Sequence, residues 1–417
     1  MNLPARALVL GLARSGEAAA LALARHGVAV VGVDGSKAID AGRLVAAGVE
    51  VHRGREEMRL LDTVDLVVKS PGVPGEHKLV AAARTRSLPV WSEVELGARL
   101  LPNPVLGVTG TNGKTTTSEL LGAIFRAAGR AVAVAGNVGR PLSGLSGTLA
   151  PDAWVVCELS SFQLEDIDRF RPRIAVLLNL EPDHLDRHRT FELYSSLKLR
   201  LFENQLTEDV AVVPRGFGPV PGRGRRVEFS GDDRLPAEPL IPGAHNRENA
   251  AAATAAARAA GVDDAAIAEA LRTFPGVAHR LEPVAELRGV RYVNDSKATN
   301  TAAAARALAA FDAPLHVILG GRAKGERFDT LARELAGRAR RAYLIGEAAP
   351  ELAEALGAAG VPFTRSGELA AALAAATAAA RPGEIVLLSP ACASYDQFAD
   401  YEERGETFRR LVLELAR

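Results

Sequence analysis

Cysteine and net charge are both scarce in this sequence, and each shortage excludes a class of protein. The 2 cysteines, Cys157 and Cys392, are too few for a disulfide framework, and no CxxC or Cys/His cluster indicates a zinc site. The 50 basic residues equal the 50 acidic residues. The composition therefore gives no reason to expect a nucleic acid or an anionic membrane surface as a partner.

Long hydrophobic runs are also missing. No stretch approaches about 18 uninterrupted apolar residues, apart from Ala-rich segments that carry charges, so no membrane span is expected. The N-terminus has no clean apolar signal region or cleavage site. We therefore expect a cytoplasmic protein, and we expect it to be a monomer. With 417 residues, of which 48% are hydrophobic, the chain should form two or three domains.

The most informative stretch is Pro-Val-Leu-Gly-Val-Thr-Gly-Thr-Asn-Gly-Lys-Thr-Thr-Thr at residues 104–117. A strand-like apolar run enters a Gly/Thr/Asn loop, and residues 118–128 then repeat apolar side chains at helical spacing. Loop N–H groups and a helix N-terminus can face an anion, so the pattern predicts a phosphate site. Lys114 would supply a cation and the Thr115 hydroxyl a Mg²⁺ ligand. Val108 stands where the common P-loop has its first Gly, so a Gly-rich turn with a solvated lysine stays an alternative.

The N-terminal segment resembles a dinucleotide-binding unit. Residues 5–11 predict a strand, and Gly11-Leu-Ala-Arg-Ser-Gly16 predicts the turn into a helix. A second strand, residues 28–33, ends at Asp34, where an acid can meet a ligand hydroxyl while the turn meets a pyrophosphate. Ala13 replaces the middle glycine. The pattern therefore supports NAD only weakly, and favours a Rossmann-like domain that binds some diphosphate.

Strand and helix patterns alternate along the rest of the chain in further sets. Strands are predicted at residues 66–69, 131–136, 153–158, 174–179, 210–213, 289–293, 315–319, 342–345 and 385–388, whereas 214–242 should be irregular or form short strands. Such alternation implies parallel sheets with ligands at the carboxyl ends of the strands. We predict an α/β fold with three domains. They are an N-terminal Rossmann-like domain at 1–92, a central P-loop ATPase-like domain with a mostly parallel sheet at 93–278, and a C-terminal Rossmann-like domain at 279–417.

Carboxylates and histidines follow two predicted strands of the central domain. The apolar strand Trp154-Val-Val-Cys-Glu158 ends in a carboxylate, where P-loop proteins usually present a second Mg²⁺ ligand. The alternative is a strand-end acid that faces solvent. The segment Asp183-His-Leu-Asp-Arg-His188 concentrates charged and imidazole groups in one loop. This density fits metal or phosphate chemistry and, equally, an ordinary polar capping loop.

Lys198 is an unexpected residue in its segment. A helix over residues 190–204 would place five side chains on one stripe: Phe191, Tyr194, Lys198, Leu201 and Phe202. An ammonium group on an apolar stripe must reach water, pair with an acid, or lose its proton and become nucleophilic. Extension of the side chain to water is the interpretation that the pattern alone favours.

Polar loops follow three predicted strands of the C-terminal domain. They are Asn294-Asp-Ser-Lys-Ala-Thr-Asn300, Gly320-Gly-Arg-Ala-Lys-Gly325 and Ser389-Pro-Ala-Cys-Ala-Ser-Tyr-Asp-Gln-Phe398. Lys297 and Lys324 could be solvated loop cations. Three such loops at one sheet edge nevertheless indicate a site for an anionic substrate.

Together these segments resemble the ATP-dependent Mur ligase family. The resemblance rests on Thr109 to Thr116, Glu158, the Asp183-His184 loop, Gly243 to Asn246 with Asn249, and His279-Arg280. It covers essentially the whole chain in order, and the family's phosphate loop has this shifted glycine spacing. Asn294 to Thr299 and Ser389 to Ser394 narrow the resemblance to members that add D-glutamate to UDP-N-acetylmuramoyl-L-alanine.

The resemblance implies a role for each group of residues. The implied ATP contacts are Gly110, Thr111, Asn112, Gly113, Lys114, Thr115, Thr116, Asn246, Asn249, Arg280 and Asp295, and His279 lies beside them. Two Mg²⁺ ions are expected, held by Thr115, Glu158, His184 and Lys198, the last as a carbamate. Catalysis is expected from Lys114, Glu158, His184 and Lys198. The sugar nucleotide would contact Arg14, Ser15, Asp34, Gly72, Asn137 and His184, and D-glutamate would contact Lys297, Thr299, Lys324, Ser394 and Tyr401.

Three other functions stay open at this stage. The first is a sibling ligase that adds another amino acid, including the folate polyglutamate type. The second is a dinucleotide-dependent dehydrogenase built on the first domain, against which Ala13 argues. The third is a nucleotide-regulated binding protein, which would bind ATP and show no turnover with any acceptor.

Overall fold

Parallel β-sheets form the core of the computed structural model, which describes residues 3–323, 325 and 327–415. All five residues of the strand Val105–Thr109 are buried, as expected when helices cover both faces of a sheet. The described residues form three such sheets, which confirms the predicted α/β fold. The chain divides into two units, Met1–Phe274 and Pro275–Arg417. The domain boundaries at 92/93 and 278/279 stay predictions.

The first sheet has five described strands in the order β3-β2-β1-β4-β5, and every pairing is parallel. The strands are β1 Arg6–Leu10, β2 Ala29–Asp34, β3 Glu50–Arg53, β4 Leu66–Lys69 and β5 Val90–Ser92. The helices are α1 Arg14–Arg25, α2 Gly42–Ala46, α3 Lys78–Thr85 and α4 Glu93–Leu100, with a 3-10 helix at Met58–Thr63. Leu10 pairs with both Val33 and Lys69, which brings the turns after β1, β2 and β4 to one sheet edge.

The second sheet has six described strands in the order β11-β10-β9-β6-β8-β7, again parallel throughout. They are β6 Val105–Thr109, β7 Val132–Gly136, β8 Trp154–Glu158, β9 Ile174–Leu177, β10 Val210–Pro214 and β11 Arg225–Phe229. β11 lies in the stretch for which short strands were one of two expectations. Val108 pairs with Glu158 and Val176, so the phosphate loop, Glu158 and the loop after β9 share one edge.

Helices of the second sheet include the two longest in the first unit, α5 Lys114–Ala127 and α9 Ala244–Ala259. The others are α6 Ser161–Leu164, α7 Leu185–His188, α8 Phe191–Leu199 and α10 Asp264–Thr273, with 3-10 helices at Ser143–Leu145 and Arg200–Phe202. The predicted helix over 190–204 is therefore α8 continued by a 3-10 turn. No helix in the described part of the chain is long and apolar enough to cross a membrane.

The third sheet, in the second unit, has six described strands in the order β12-β13-β17-β14-β15-β16. They are β12 Glu282–Leu287, β13 Val290–Asn294, β14 Leu315–Gly320, β15 Ala339–Ile345, β16 Phe363–Gly367 and β17 Ile385–Ala391. Only the β12–β13 pairing is antiparallel. The helices are α11 Thr301–Ala309, α12 Asp329–Leu335, α13 Ala349–Ala358, α14 Leu369–Ala379 and α15 Tyr401–Glu414. The three polar loops predicted from the sequence follow β13, β14 and β17, which are neighbours in the sheet.

Helix α4 joins the first two sheets and is anchored by a buried acid. The Glu95 carboxylate accepts hydrogen bonds from the backbone N–H groups of Asp168, Arg169 and Phe170 at 2.8–3.1 Å. Ser92 caps the helix by accepting from the Glu95 N–H. Because a carboxylate that accepts several N–H bonds is held firmly, α4 ties the end of the first sheet to the second.

Candidate active site

The phosphate loop after β6 is shaped by glycines and closed by helix α9. Gly113 has φ of 82° and caps the N-terminus of α5. A Cβ atom at this position would lie 2.1 Å from Asn249 Oδ1, so a larger residue would meet both backbone strain and a clash. Asn249 is itself buried. The sequence prediction that Asn249 belongs with this loop therefore has a direct geometric counterpart.

Two lysines converge on one carbonyl oxygen of this loop. Lys114 Nζ donates to Gly110 O at 2.9 Å and to Thr111 O at 2.8 Å. Lys198 Nζ donates to the same Gly110 oxygen at 2.7 Å. Two lysine amino groups meet at one neutral acceptor, so each of them that is protonated adds positive charge at the loop. Such a place favours an anion such as a phosphate group.

Lys198 does not extend to water, so the interpretation that favoured this was wrong. Only 2% of the residue is exposed, and its Nζ lies 4.7 Å from the centre of the Tyr194 ring. Helix α8 packs the side chain beneath the loop, where the Gly110 carbonyl replaces water as the acceptor. Burial and then the Lys114 charge lower the pKa of Lys198 to about 7, whereas Asp183 and Glu158 act in the opposite direction.

Asn179, just after β9, and Tyr194 on α8 hold the phosphate loop in place. The N–H of Asn112 donates to Asn179 Oδ1 at 2.8 Å, and the N–H of Thr111 donates to Asn179 O at 3.0 Å. The Tyr194 hydroxyl lies 3.0 Å from Thr111 Oγ1. The backbone N–H groups of Asn112 and Thr111 therefore bond to Asn179 and close the loop. The first turn of α5, whose N–H groups lack intrahelical acceptors, is better placed to receive a phosphate.

Glu158 at the end of β8 does not face solvent, so that alternative is wrong. Only 2% of the residue is exposed, and its Oε1 accepts from Asn137 Nδ2 at 2.9 Å. Its Oε2 is buried and has no hydrogen-bond partner among the described residues. A buried anionic oxygen without a donor needs a cation nearby, and Mg²⁺ prefers oxygen ligands.

A Mg²⁺ ion in this unit would need more than acids and histidines. Within residues 3–323, 325 and 327–415, no three His, Cys, Asp or Glu side chains lie close enough together to hold a metal ion. Thr115 lies in the first turn of α5 and is buried. The residues fit a metal through Glu158 Oε2, and further oxygens would come from the Thr115 hydroxyl or from phosphate groups.

The Asp183–His188 segment separates its histidines into two environments. His184 is half exposed and has φ of 52°, and its N–H donates to Asp183 Oδ1 at 2.9 Å. His188 is buried, with Nε2 2.9 Å from Ser161 Oγ, and burial lowers its pKa. Both rings lie 5.0 Å from Phe162. A ligand could therefore reach His184, whereas His188 packs in the protein. The Asp186 side chain lies outside the described residues.

The turn after β1 is closed by Asp34. Its Oδ2 accepts from the Leu12 N–H at 2.7 Å, and its Oδ1 accepts from the Ser36 N–H at 2.8 Å. A Cβ atom on Gly16 would lie 1.7 Å from Gly11 O, so helix α1 starts in close contact with the turn. Arg14 and Ser15 form the first residues of α1. A ligand hydroxyl at Asp34 would therefore share a carboxylate that already fixes the backbone.

Sequence reasoning missed a buried ion cluster between the first two sheets. Lys69, at the end of β4, has a fully buried side chain, and its Nζ lies 2.7 Å from both Glu165 and Asp166. Arg84 contacts Asp166 at 2.6 Å. Arg187, three residues after His184, contacts Glu165 at 3.6 Å and donates to Val73 O at 3.0 Å. The available signal was a lysine that ends an otherwise apolar strand.

In the second unit, buried polar groups surround His279 and Asp295. Asn294 Nδ2 lies 3.0 Å from His279 Nδ1, and burial lowers the pKa of His279. Ser389 Oγ donates to Asp295 Oδ2 at 2.9 Å. Burial raises the pKa of Asp295 to about 7, and the charge of Arg280 acts against that rise. Arg280 itself is exposed.

The predicted D-glutamate residues occupy the loops after β13 and β17 and the start of α15. Lys297 Nζ lies 5.8 Å from the centre of the Tyr401 ring. Thr299 is partly buried and Ser394 is buried. Lys324 lies outside the described residues, so its predicted role has no structural counterpart here. The structure therefore brings Lys297 and Tyr401 together, and it places Ser394 on the neighbouring loop.

Family models match three parts of the chain. The Mur ligase MurD-like N-terminal domain matches residues 5–92, the Mur ligase middle domain matches residues 108–216, and the Mur ligase glutamate ligase domain matches residues 279–392. Together these three matches cover most of the sequence, and they follow one another along the chain as N-terminal, middle and glutamate ligase domains.

Two relatives are similar over nearly their whole length. The UDP-N-acetylmuramoylalanine--D-glutamate ligase of Acidobacterium capsulatum is 42% identical, covering 98% of this chain and 96% of the relative. The protein of the same name from Anaeromyxobacter dehalogenans is 45% identical, covering 99% and 98%. Among solved structures, UDP-N-acetylmuramate-alanine ligase from Thermotoga maritima superposes with a TM-score of 0.59 at 18% identity, covering 99% of both chains. At that identity the likeness concerns the fold alone.

Proposed function

The chain belongs to the Mur ligase family, and from that premise we propose that it joins D-glutamate to UDP-N-acetylmuramoyl-L-alanine. The reaction consumes ATP, releases ADP and phosphate, and is a step of peptidoglycan synthesis. The observation that carries the proposal is the name shared by relatives that are 42% and 45% identical over nearly the whole chain. The phosphate loop with its two converging lysines supports it.

The chemistry proceeds in two steps. An oxygen of the alanyl carboxylate attacks the γ-phosphorus of ATP, and ADP leaves, which produces an acyl phosphate. The amine of D-glutamate then attacks the acyl carbon, loses a proton and displaces inorganic phosphate, which produces the amide. Each step brings anions together, so the protein must supply positive charge and exclude water from the acyl phosphate.

The proposed ATP contacts centre on the phosphate loop. Lys114 offsets phosphate charge, and the N-terminus of α5 presents backbone N–H groups. The other proposed ATP contacts are Gly110, Thr111, Asn112, Gly113, Thr115, Thr116, Asn246, Asn249, Arg280 and Asp295. For Asn249 the support is its packing against Gly113, and for Arg280 and Asp295 it is the family resemblance.

We assign Mg²⁺ binding to Glu158, Thr115, His184 and modified Lys198, with two ions in the full site. Bound Mg²⁺ would neutralise phosphate charge during transfer. The unpartnered Glu158 Oε2 supports this assignment.

Lys198 is the proposed carbamate. A neutral amine adds to CO₂ to form a carbamate anion and a proton, and a pKa of about 7 leaves much of the Lys198 amine neutral near pH 7. The anion would sit beside Lys114, which supports its formation. We expect Lys198→Ala to lose nearly all ligation and to regain part of it with added short carboxylates. Full activity of this variant without carboxylates would contradict the assignment.

The proposed substrate contacts lie on all three predicted domains, 1–92, 93–278 and 279–417. UDP-N-acetylmuramoyl-L-alanine is assigned to Arg14, Ser15, Asp34, Gly72, Asn137 and His184. D-glutamate is assigned to Lys297, Thr299, Lys324, Ser394 and Tyr401. Exposure of Arg14, at the start of α1, and of Gly72 supports the first set. The proximity of Lys297 to the Tyr401 ring supports the second. The enzyme is proposed to act as a monomer in the cytoplasm.

An ADP-release assay tests the function. With ATP, Mg²⁺ and UDP-N-acetylmuramoyl-L-alanine present, we expect release to depend on D-glutamate and not on L-alanine, meso-diaminopimelate or lysine. Preference for another of these amino acids would assign the chain to a sibling ligase. ATP binding without turnover for any acceptor would favour a binding protein, and NAD(P)H binding would favour a dehydrogenase.

A further inference from the structure

Arg404 on α15 is a fully buried arginine that has no assigned role in the reaction. Its relative exposure is 0%, and it is the largest side chain buried to this degree among the described residues. It lies on the same face of α15 as Phe408 and Val412, which are four and eight residues later and belong to the apolar core. An apolar residue would be expected at this position, so the guanidinium needs an explanation.

The guanidinium of Arg404 bonds to three loops at once. Nε donates to Ser296 Oγ at 3.0 Å and Nη2 donates to Ser296 O at 2.9 Å. Both Nη atoms donate to Cys392 O at 3.2 Å. Nη1 also lies 3.4 Å from Ala393 O and 3.5 Å from Gly320 O. These acceptors lie just after β13 and β17 and at the last residue of β14, and the three strands are adjacent in the sheet.

All of these acceptors are neutral. In the part of the chain that the structure describes, no carboxylate lies within ion-pair distance of Arg404. Burial lowers the pKa of Arg404 to about 10, which leaves the group charged at neutral pH. The loops therefore solvate this positive charge with neutral acceptors, and the charge of Asp396, on the loop after β17, compensates it only from beyond ion-pair distance.

The same three loops carry the proposed D-glutamate contacts. Lys297 follows Ser296, and Ser394 follows Ala393. Tyr401 lies one turn before Arg404 on α15, and its carbonyl accepts from Ser296 Oγ at 2.8 Å. Two acceptors of Arg404, Ser296 and Ala393, are thus each one residue away from a proposed contact. Ser296 also links Arg404 to a third contact, Tyr401.

We propose that Arg404 is a positioning residue for the acidic amino acid, because it fixes the three loops and places beneath them a positive charge that has no direct carboxylate partner. The inference rests on the proposed function. It predicts that Arg404 affects the binding of D-glutamate, an amino acid with two carboxylates, far more than the binding of ATP. A residue with a merely structural role would lower stability without this separation.

The test compares Arg404→Met with Arg404→Lys in the full-length enzyme by steady-state ADP release. For Arg404→Met we expect the KM for D-glutamate to rise about tenfold or more, because a charged hydrogen-bond network is lost. The KM for ATP should stay within about twofold. Arg404→Lys keeps the charge but not the planar fork, so its KM for D-glutamate should lie between those of the wild type and Arg404→Met.

Two further variants keep the test informative. Phe408→Leu removes buried apolar contacts on the same helix, so it should lower the Tm without changing the KM for D-glutamate. Ser296→Ala removes one acceptor of Arg404 and leaves the charge in place. Its KM for D-glutamate should rise about two- to fivefold, which provides a measurement if Arg404→Met fails to fold.

The outcomes distinguish this inference from the proposed function. Absence of D-glutamate-dependent ADP release by the wild type would refute the function and the inference together. An active wild type with an unchanged KM for D-glutamate in Ser296→Ala and in both Arg404 variants that fold would refute the inference alone. Equal rises in the KM values for ATP and D-glutamate in Arg404→Met would also refute the inference. The same holds if the KM of Arg404→Lys for D-glutamate is as high as that of Arg404→Met.

Discussion

Two turns in the first unit look alike in sequence and differ in their electrostatics. Each joins a buried parallel strand to a helix through glycines, at Gly11–Gly16 after β1 and at Gly110–Thr116 after β6. In the first turn the charge of Asp34 is matched by two backbone N–H donors. In the second turn, two lysine amino groups share the carbonyl of Gly110.

The difference shows what a glycine-rich turn does and does not establish. Glycines allow the backbone to make a tight turn and to approach a ligand or a neighbouring segment closely, and both turns contain such glycines. The second turn also brings two lysine amino groups to one carbonyl, and the end of the neighbouring strand β8 carries Glu158 Oε2, which has no hydrogen-bond partner among the described residues. Such an arrangement favours a charged ligand, so the phosphate loop is the better candidate for chemistry and the first turn for binding.

The largest expected effect comes from removing the cation of the second turn. Lys114→Ala should lower acyl-phosphate formation by about a thousandfold or more, because phosphoryl transfer depends on electrostatic stabilisation. Binding of the UDP-sugar should be nearly unchanged, since its proposed contacts lie mainly around the first turn. Rapid-quench measurement of ADP formation and calorimetry with the UDP-sugar check both parts. Equal losses in chemistry and sugar binding would contradict the distinction between the turns.

The next largest effect should come from Glu158→Gln. The amide keeps the shape and can still accept from Asn137, but it removes the anionic charge offered to Mg²⁺. We expect the Mg²⁺ concentration for half-maximal activity to rise about 10- to 100-fold. Unaltered Mg²⁺ dependence would show that the unpartnered oxygen does not meet a metal. Asn137→Ala is a useful comparison, because it leaves the charge and should have a smaller effect.

A stability effect is expected at the first turn. Asp34→Ala leaves the Leu12 and Ser36 N–H groups without their acceptor and should lower the free energy of unfolding by about 1–3 kcal/mol. Chemical denaturation gives the value. Asp34→Asn retains one acceptor oxygen and should be less damaging. If neither variant loses stability, the carboxylate does not fix the turn and its importance must lie with the ligand.

The smallest expected effect, measured per pH unit, is a pH dependence of stability at Lys198. Its pKa falls from 10.5 to about 7 in the folded state, so between these values the unfolded chain binds a proton that the folded chain lacks. The free energy of unfolding therefore rises with pH between about 7 and 10.5. Below about pH 7 the folded state carries the full cost of burying a protonated lysine. In CO₂-free buffer, the stability advantage of Lys198→Met over the wild type should shrink by on the order of 1 kcal/mol per pH unit from pH 7 to 10. A constant difference would contradict the lowered pKa.

The central strands could be predicted from the sequence, whereas five of the six edge strands could not; the exception is β7, which was predicted at 131–136. β4 at Leu66–Lys69 agrees with its predicted range, and β8, β9 and β14 differ by no more than two residues at an end. The strands without a firm prediction were β3, β5, β11, β12 and β16, and all of them lie at sheet edges. An edge strand is only partly buried, as β3 with Glu-Val-His-Arg illustrates, so its apolar pattern is weak.

For the site, the sequence indicated which loops matter but not how their charges meet. Glycines and strand ends predicted the phosphate loop and Glu158, because these features depend on local order along the chain. The burial of Lys198 depends on α8 passing beneath a loop 88 residues earlier in the sequence. Arg404 was missed for a similar reason. Its position four residues before Phe408 was a signal of burial, but its three acceptor loops are brought together only by the sheet.

The Lys69 cluster has a consequence for dividing the molecule experimentally. A fragment cut after Ser92 would keep Lys69 and lose Glu165 and Asp166, leaving an ammonium group in a surface that evolved as an interior. It would also lose the bond from the Ser92 N–H to Asp166 O. Ligand studies on the first sheet should therefore use the first unit through Phe274, in which every one of these charges keeps its counterpart.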